Sequence, residues 1–482
     1  MNQIIAILWA LYVAVAVAMV ITIIHDRRDT TKSLAWIVVV SMIPFAGMAL
    51  YILFGRNHRK NKIFNRKLIK DLQQIEALSS RQLKYLDELQ KQSLHNNQIF
   101  GNREIITLLL NNNKALLTTR NRIDLLNNGR QAFDALIEAI AAARESIHLE
   151  YYIFENDHLG RRIGDLLMEK ARSGVEVRLI YDAVGSWGLS GEYIRQMRRA
   201  GVEVRTFMPV AFPWLTSRVN YRNHRKIVVV DGRVGFTGGM NIADRYLATK
   251  GRKAWRDTHI RLEGDAVVML QTIFVTDWFF VSGHEQLDDQ KYFPRNDIDG
   301  FVPMQIASCG PDSDWASIMQ AYFAAINKAR DHIYICSPYF LPNNAIYTAL
   351  RVASLSGVDV RIMIPKHADH KVVYWATCSY ISDMQRAGVK VYQYHKGFNH
   401  SKLLMIDGQM CSIGTANMDI RSFEDNFEVS AMIYDPVFTA QLEELFHADL
   451  HASTLIDPKK WDKRPRWRKF VEGLCSLLSP LL

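Results

Sequence analysis

Cysteine is scarce in this sequence. Five occur in 482 residues, at positions 309, 336, 378, 411 and 475, an odd number with no C-x-x-C spacing. That argues against a disulfide framework and against a structural zinc site. There is no H-E-x-x-H and no Walker-type glycine loop, so neither a zinc-hydrolase helix nor a P-loop is encoded. Acidic residues are missing from 55–70, where seven Lys or Arg stand alone, and residues 457–472 set seven basic residues against three acidic ones. The formal net charge is +10. The two flanks account for all of it, so the rest of the chain is near neutral. A nucleic-acid enzyme is expected to carry its basic excess along the active cleft. A surplus confined to the flanks suits an anionic membrane surface and no nucleic acid.

Two long stretches lack charge altogether. Ile4 to Ile24 and Leu34 to Phe54 are each 21 residues without a charged side chain. About 20 apolar residues span a bilayer as a helix, so two N-terminal membrane segments are expected. No Lys or Arg precedes Ile4, which weighs against a cleaved signal peptide. The basic stretch after Phe54 should stay cytoplasmic, together with the body that follows. Two full spans would then leave Arg27, Arg28 and Lys32 outside, against the same rule. A second segment that kinks at Pro44 and returns would remove the conflict.

The chemistry lies in a repeated stretch. His224-Arg225-Lys226 is followed by four residues and Asp231, then by six residues, Gly238 and, three further on, Asn241. His400-Ser401-Lys402 leads with the same spacing to Asp407, Gly414 and Asn417. Side chains alternate along a strand, so His and Lys two apart share a face. The apolar run behind each Lys suits a strand buried on both sides. Asp231-Gly232 and Asp407-Gly408 carry the signature of a type I′ hairpin turn. Each copy therefore reads as strand, tight turn, strand, and a turn that delivers Asn beside His and Lys. Imidazole, ammonium and amide together suit a phosphate: Lys226, Lys402, Asn241 and Asn417 hold anionic oxygens, and the histidines exchange with a leaving group. Two facing halves would set one imidazole to attack phosphorus and the other to protonate the leaving alcohol. The two lysines supply the positive charge a metal would give, so no metal and no cofactor is expected. Asp231 and Asp407 complete the motifs, but as residues that start turns they read as structural more than catalytic.

The paired H-x-K-x4-D…G-x-x-N pattern resembles the phospholipase D superfamily. With its apolar N-terminus and basic tail, nearly the whole chain is similar to the bacterial cardiolipin synthase family. The resemblance implies two phospholipase-D-like α/β sheet domains forming a pseudo-dimer, preceded by two transmembrane helices in the bacterial inner membrane. It implies transfer of a phosphatidyl group from one phosphatidylglycerol to another, through a phosphohistidine on the first-half His224, giving cardiolipin and glycerol. It also implies a carboxylate downstream of each motif that orients an imidazole; Asp257 and Glu428 are the candidates. Gly239 and Thr415 occupy a position that is often Ser in the superfamily, which changes one hydrogen bond.

The duplication is larger than the motifs. Ala143–His148 matches Ala329–Tyr334, Ser173–Arg178 matches Ser356–Arg361, and Ala200–Val204 matches Ala387–Val391, at separations of 186, 183 and 187 residues, against 176 for the motif histidines. Helices alternate with short apolar strands, which predicts an α/β layered sheet in each unit. The expected divisions are a membrane anchor over 1–56, a polar helical connector over 57–125, halves at 126–300 and 301–456, and a basic amphipathic tail over 457–482. In the tail, Trp467, Phe470, Val471, Leu474, Leu477 and Leu478 fall at helical spacing, as for a helix lying in a membrane interface. His148, His332 and His447 lack a Lys two residues on and read as packing or surface histidines. The aromatic loop 211–215 is expected to line the cleft, touch the membrane or pack in the core. An oligomer is compatible with the sequence.

Overall fold

The computed structural model describes the chain apart from residues 1, 26–29, 44, 52–75, 85, 87–97, 210–220, 249–253, 284–286, 288, 296–297, 368, 478 and 480–482. The aromatic loop 211–215 falls outside the described residues. The first half builds a seven-stranded sheet from β1 (Asn121–Leu126), β2 (Ser146–Tyr151), β3 (Glu176–Asp182), β4 (Glu203–Phe207), β5 (Lys226–Val230), β6 (Val234–Gly238) and β7 (His259–Gly264). Its order is β1-β7-β6-β5-β2-β3-β4. The second half supplies β8 (Met304–Cys309), β9 (His332–Cys336), β10 (Phe340–Leu341), β11 (Asp359–Pro365), β12 (Lys390–Tyr394), β13 (Leu403–Ile406), β14 (Met410–Gly414), β15 (Met418–Asp419), β16 (Glu428–Ile433) and β17 (Ser453–Leu455). Its main sheet runs β17-β12-β11-β9-β13-β14-β16-β8, with β10 and β15 paired separately. Without the extra edge strand β17, the second sheet repeats the first strand for strand, which is the duplication the sequence predicts.

Local rules explain most of the elements. Gly174, Gly201, Gly357 and Gly388 all have φ between +94° and +99°. Each ends a helix in the left-handed region and admits the next parallel strand, as a C-cap glycine does. Asp231 and Gly232 have φ of 52° and 61°, and Asp407 and Gly408 repeat this at 52° and 63°. Arg233 N–H donates to Val230 O, and Gln409 N–H to Ile406 O, both at 2.9 Å. Positive φ at both central residues is the I′ requirement. Each Asp has a second task. The Asp231 carboxylate accepts from the backbone N–H of Arg144, Glu145 and Ser146, and Asp407 from Arg330, Asp331 and His332. They pin the hairpin turns to the starts of β2 and β9. At ~3.3 Å per residue they sit roughly 16 Å along the strand from Lys226 or Lys402, and their carboxylates are taken up by these backbone contacts.

Three layers of core follow. Helices such as Gly129–Ala142 and His158–Arg172 cover the outer face of the first sheet, and Ser317–Lys328 and Asn344–Leu355 cover the second. Between the sheets lies a shared core in which Ile227, Val229, Ile260 and Leu262 meet Met304, Ile306, Met405 and Ile413. Val228 and Val230 face the outer helices instead, so β5 is buried on both faces as its sequence predicts.

Several expectations need correction. The connector is largely helical where described, as expected, but it is not all polar surface: in helix Arg103–Asn112, Ile105, Ile106, Leu109 and Leu110 are fully buried in the second-half core. The expected boundary at 126 cuts the end of β1. The second apolar run is not one spanning helix. Helix Thr30–Met42 ends, Phe45 takes φ of 58°, and Ala46–Leu50 follows. The chain turns back there, because the Tyr51 ring lies 5.6 Å from that of Trp36. Pro44 itself lies outside the described residues. Helix Asn2–His25 packs on this turn through Tyr12, whose hydroxyl donates to Val40 O at 3.1 Å. Among the described residues the helix long and apolar enough to cross a membrane is Asp265–Ser282; half of it is buried in the body, and the shorter apolar helix is Trp9–His25. In the tail, helix Arg466–Ser476 docks on Lys371–Arg386 with Glu472 and Cys475 buried, while Trp467, Phe470, Leu474 and Leu477 stay exposed.

Candidate active site

Both motif histidines precede their strands, on segments that cross from one half to the other. His224 N–H donates to Phe427 O, and Phe427 N–H returns to Arg222 O, both at 2.9 Å. His400 N–H donates to Arg256 O at 2.7 Å, and Arg256 N–H to Phe398 O at 2.9 Å. These two short parallel bridges bring each histidine beside the carboxylate at the neck of the other half's sheet. His224 Nδ1 lies 3.0 and 2.9 Å from the two oxygens of Glu428. His400 Nδ1 lies 2.8 Å from Asp257 Oδ2. The carboxylates expected from resemblance are therefore in place, and they are exchanged: Asp257 of the first half serves the second-half histidine, and Glu428 serves the first. Neither half holds a complete pair of its own.

The exchange fixes tautomers. A carboxylate accepts, so each Nδ1 carries hydrogen and each Nε2 keeps its lone pair. Lys402 Nζ lies 2.8 Å from His400 Nδ1 and 3.0 Å from Nε2. Since Nδ1 donates to Asp257, the ammonium can donate only to Nε2. Lys226 Nζ donates to His224 O at 2.7 Å, and Lys402 Nζ to His400 O at 2.5 Å. Both lysines, both histidines and both carboxylates are buried.

Charge is crowded here, and the protonation equilibria respond. Burial first, then the neighbouring Lys402, lowers the Lys226 ammonium to about 7. Burial brings Lys402 to about 8. His224 is pushed down to about 4 by burial, which outweighs Glu428. His400 is held well below its ordinary value by burial and then by Lys402, Lys226, His224 and Arg245. The two carboxylates differ. Burial raises Asp257 to about 6, whereas for Glu428 burial is overcome by His224, Lys226 and the Thr415 hydroxyl, and its value falls. His224 accounts for most of the fall, and one further contact differs between the halves. Thr415 Oγ1 donates to Glu428. A Cβ at Gly239 would lie 2.1 Å from Asp257 Oδ1, so that half has no room for a hydroxyl.

Asn241 and Asn417 are placed less directly. Asn241 Oδ1 accepts from Ile153 N–H at 3.2 Å, and its Nδ2 donates to Tyr246 Oη at 3.2 Å; Tyr246 Oη lies 3.3 Å from His400 Nδ1. Asn417, buried just before β15, donates its backbone N–H to Ser422 Oγ at 3.1 Å. His148 and His332 are packing residues as expected: the first stacks on Phe274 at 4.6 Å, and the second pairs with Glu443 at 2.8 Å. No group of three His, Cys, Asp or Glu side chains among the described residues could hold a metal ion.

Sequence reasoning missed several residues. Asn223 and Asn399 precede the two histidines, and each side-chain oxygen accepts the N–H two residues on at 3.1 Å. The repeated N-H-x-K was there to be read. Arg245 and Arg421, each four residues after the motif Asn, are a second unread repeat. Tyr152, 4.9 Å from the His224 ring, and Trp255, 5.4 Å from the His400 ring, have no counterpart in the opposite copy and left no signal.

The chain is similar to known proteins over nearly its whole length. A family model described as "Cardiolipin synthase, PLD-like domain" matches residues 136–268 and 322–450. Another, described as "Phospholipase_D-nuclease N-terminal", matches residues 6–56. The chain is 42% identical over 465 residues to the major cardiolipin synthase ClsA of Bacillus subtilis (strain 168), covering 96% of each. It is 43% identical over 464 residues to the cardiolipin synthase of Staphylococcus aureus (strain N315), covering 95% of this chain and 93% of that one. Among solved structures, the phosphatidylserine synthase of Haemophilus influenzae Rd KW20 aligns with a TM-score of 0.62 at 14% identity, over 78% of this chain and 99% of its own. At that identity the likeness is one of fold.

Proposed function

The chain belongs to the cardiolipin synthases of the phospholipase D superfamily and is a phosphatidyltransferase that makes cardiolipin; on that premise we propose that phosphatidylglycerol is both donor and acceptor, and that the phosphatidyl group rests on His224 between the two. The observation that carries this reading is the crosswise pairing of His224 with Glu428 and of His400 with Asp257 around two buried lysines. His224 Nε2 attacks the donor phosphorus. The P–O bond to glycerol breaks, and His400 gives that oxygen a proton that its Nε2 has first taken from the Lys402 ammonium 3.0 Å away. The terminal hydroxyl of the second phosphatidylglycerol then gives its proton to His400 and attacks the phosphorus, and the P–N bond breaks. Lys226 and Lys402 hold the charge gathering on the equatorial oxygens. Asn241 and Asn417 complete the cradle. The ionised Glu428, fastened by Thr415, favours His224 as the nucleophile. Asp257, nearer to taking up a proton, suits the half that runs acid–base exchange.

The protein is membrane-bound in this reading. Helix Asn2–His25 and the returning segment that follows anchor it in the bacterial inner membrane, with the body on the cytoplasmic face. The exposed Trp467, Phe470, Leu474 and Leu477 meet the interface beside a run of basic residues.

Purified full-length protein in phosphatidylglycerol micelles with EDTA is expected to release glycerol and form cardiolipin, read by mass spectrometry. Phosphatidic acid alone would make the protein a hydrolase. Loss of activity in EDTA, restored by Mg²⁺, would contradict the two-lysine account. A second expectation concerns pH. The lysines must be ammonium ions to hold phosphate, and their values of about 7 and about 8 lie below the ordinary lysine value. As pH rises through that window the charge is lost, so kcat/KM, which reports the free enzyme, should decline from pH 7 to 9. A flat profile across that range would contradict it.

A further inference from the structure

Arg245 and Arg421 stand one in each half, each four residues past the motif Asn, and Arg245 stacks on the Trp255 ring that packs against His400 of the other half. The Arg245 guanidinium carbon is 5.2 Å from the centre of the Trp255 ring, and that ring is 5.4 Å from the ring of His400. The guanidinium thus lies no farther from His400 than those two spans end to end. It is about a third exposed, at 36%, and its Nη2 donates to Glu155 Oε1 at 2.6 Å. Trp255 holds its face and Glu155 one edge, so its position is fixed at the rim of the site. Arg421 stands on the opposite flank, where its charge acts on Tyr152 and Arg222 and Tyr152 packs on His224.

The reaction brings in two phosphates and uses one. The donor's phosphorus lies between the histidines, over the lysines. The acceptor carries a second phosphate, separated from its attacking hydroxyl by the three carbons of glycerol, and that group does not react. It is an anion that must be accommodated one glycerol bridge from the reacting phosphorus, on the side of the histidine that takes the acceptor's proton. We propose that Arg245 is the subsite for this spectator phosphate and thereby selects a lipid acceptor over an uncharged one. The inference rests on the reading above, in which His400 is the acid–base group. A planar guanidinium with five donors suits a phosphate at a fixed place, and Arg245 is the fixed cation on that flank. Water and free glycerol carry no phosphate and draw nothing from it.

Competition between acceptors tests this. Full-length protein in phosphatidylglycerol micelles is given isotopically labelled free glycerol. The phosphatidyl-enzyme then partitions between cardiolipin and phosphatidylglycerol bearing the label. Arg245→Gln is expected to lower the ratio of cardiolipin to labelled phosphatidylglycerol by about tenfold, the weight of one charge-assisted hydrogen bond. Arg245→Lys, which keeps the charge, should recover most of the ratio. A folding defect would lower both products together and leave the ratio where it was, so an unchanged ratio in Arg245→Gln overturns the proposal. A fall in Arg421→Gln but not in Arg245→Gln overturns it as well, by moving the subsite to the other flank. Wild-type protein that gives phosphatidic acid and neither of the other products would instead overturn the function on which the inference rests.

Discussion

Alanine at position 224 is expected to lower cardiolipin formation by at least about 10³-fold while the protein stays folded. The effect is large because, in the proposed mechanism, the residue forms the bond that carries the phosphatidyl group. General acid–base groups contribute ~10²–10⁴-fold, and removing a nucleophile from a set that acts as a unit costs about as much as removing the whole set. The neighbouring nitrogens are poor substitutes: Lys226 is a cation below about 7, and Arg225 is turned away to pair with Asp277. The fold should survive. His224 is held through its backbone N–H to Phe427, which alanine keeps, and Glu428 retains Thr415. Lipid products by mass spectrometry, with a thermal melt on the same sample, measure both parts. Retention of more than a tenth of the activity would contradict the shared site.

Asparagine at position 400 is expected to stop turnover and leave the phosphatidyl group on the enzyme. The two half-reactions need His400 unequally. Departure of glycerol needs a proton, and the Lys402 ammonium, now 3.0 Å from Nε2, can supply one slowly. Capture by the second lipid needs a base. Having given its proton, Lys402 regains one from solvent, because its value of about 8 keeps it an ammonium ion near pH 7; an ammonium ion is no base, so the second half is blocked more severely than the first. The asparagine amide can still donate to Asp257, which avoids stranding a buried carboxylate. Intact-protein mass spectrometry should find the added mass of one phosphatidyl group, stable to alkali and labile to acid as a phosphoramidate is, on the peptide containing His224. An adduct on His400 in the wild-type protein would reverse the roles of the two histidines.

Much of this site could be read from the chain because it is local. A motif that fixes His and Lys on one face, a run of β-branched residues and an Asp-Gly turn act over a dozen positions, and the second copy repeats them. Asp231 and Asp407 show the limit: their place in the motif suggests chemistry, but their carboxylates bind the loops before β2 and β9, a contact made across about 80 residues of chain. The exchange of Asp257 and Glu428 between halves was also out of reach. Each carboxylate follows its own half's motif at similar distance, and only the packing of Ile227 and Val229 against Met405 and Ile413 decides which imidazole each one meets. Helix Arg103–Asn112 was hidden in a polar stretch because its buried stripe is only four residues wide, Ile105, Ile106, Leu109 and Leu110. The second apolar run has the composition of a span, but its direction turns on the backbone at Phe45, which hydropathy does not register.

The central claim is that one phosphorus is displaced twice, by two histidines contributed by two halves. The stereochemical course at phosphorus tests it most directly. Phosphatidylglycerol made chiral at phosphorus with sulfur and an oxygen isotope would be converted by the full-length protein, and the configuration of the transferred centre in the cardiolipin product determined. Two in-line displacements, by His224 and then by the acceptor hydroxyl, predict net retention. Net inversion would mean a single direct displacement by the acceptor, with no phosphatidyl-enzyme, and would contradict the account.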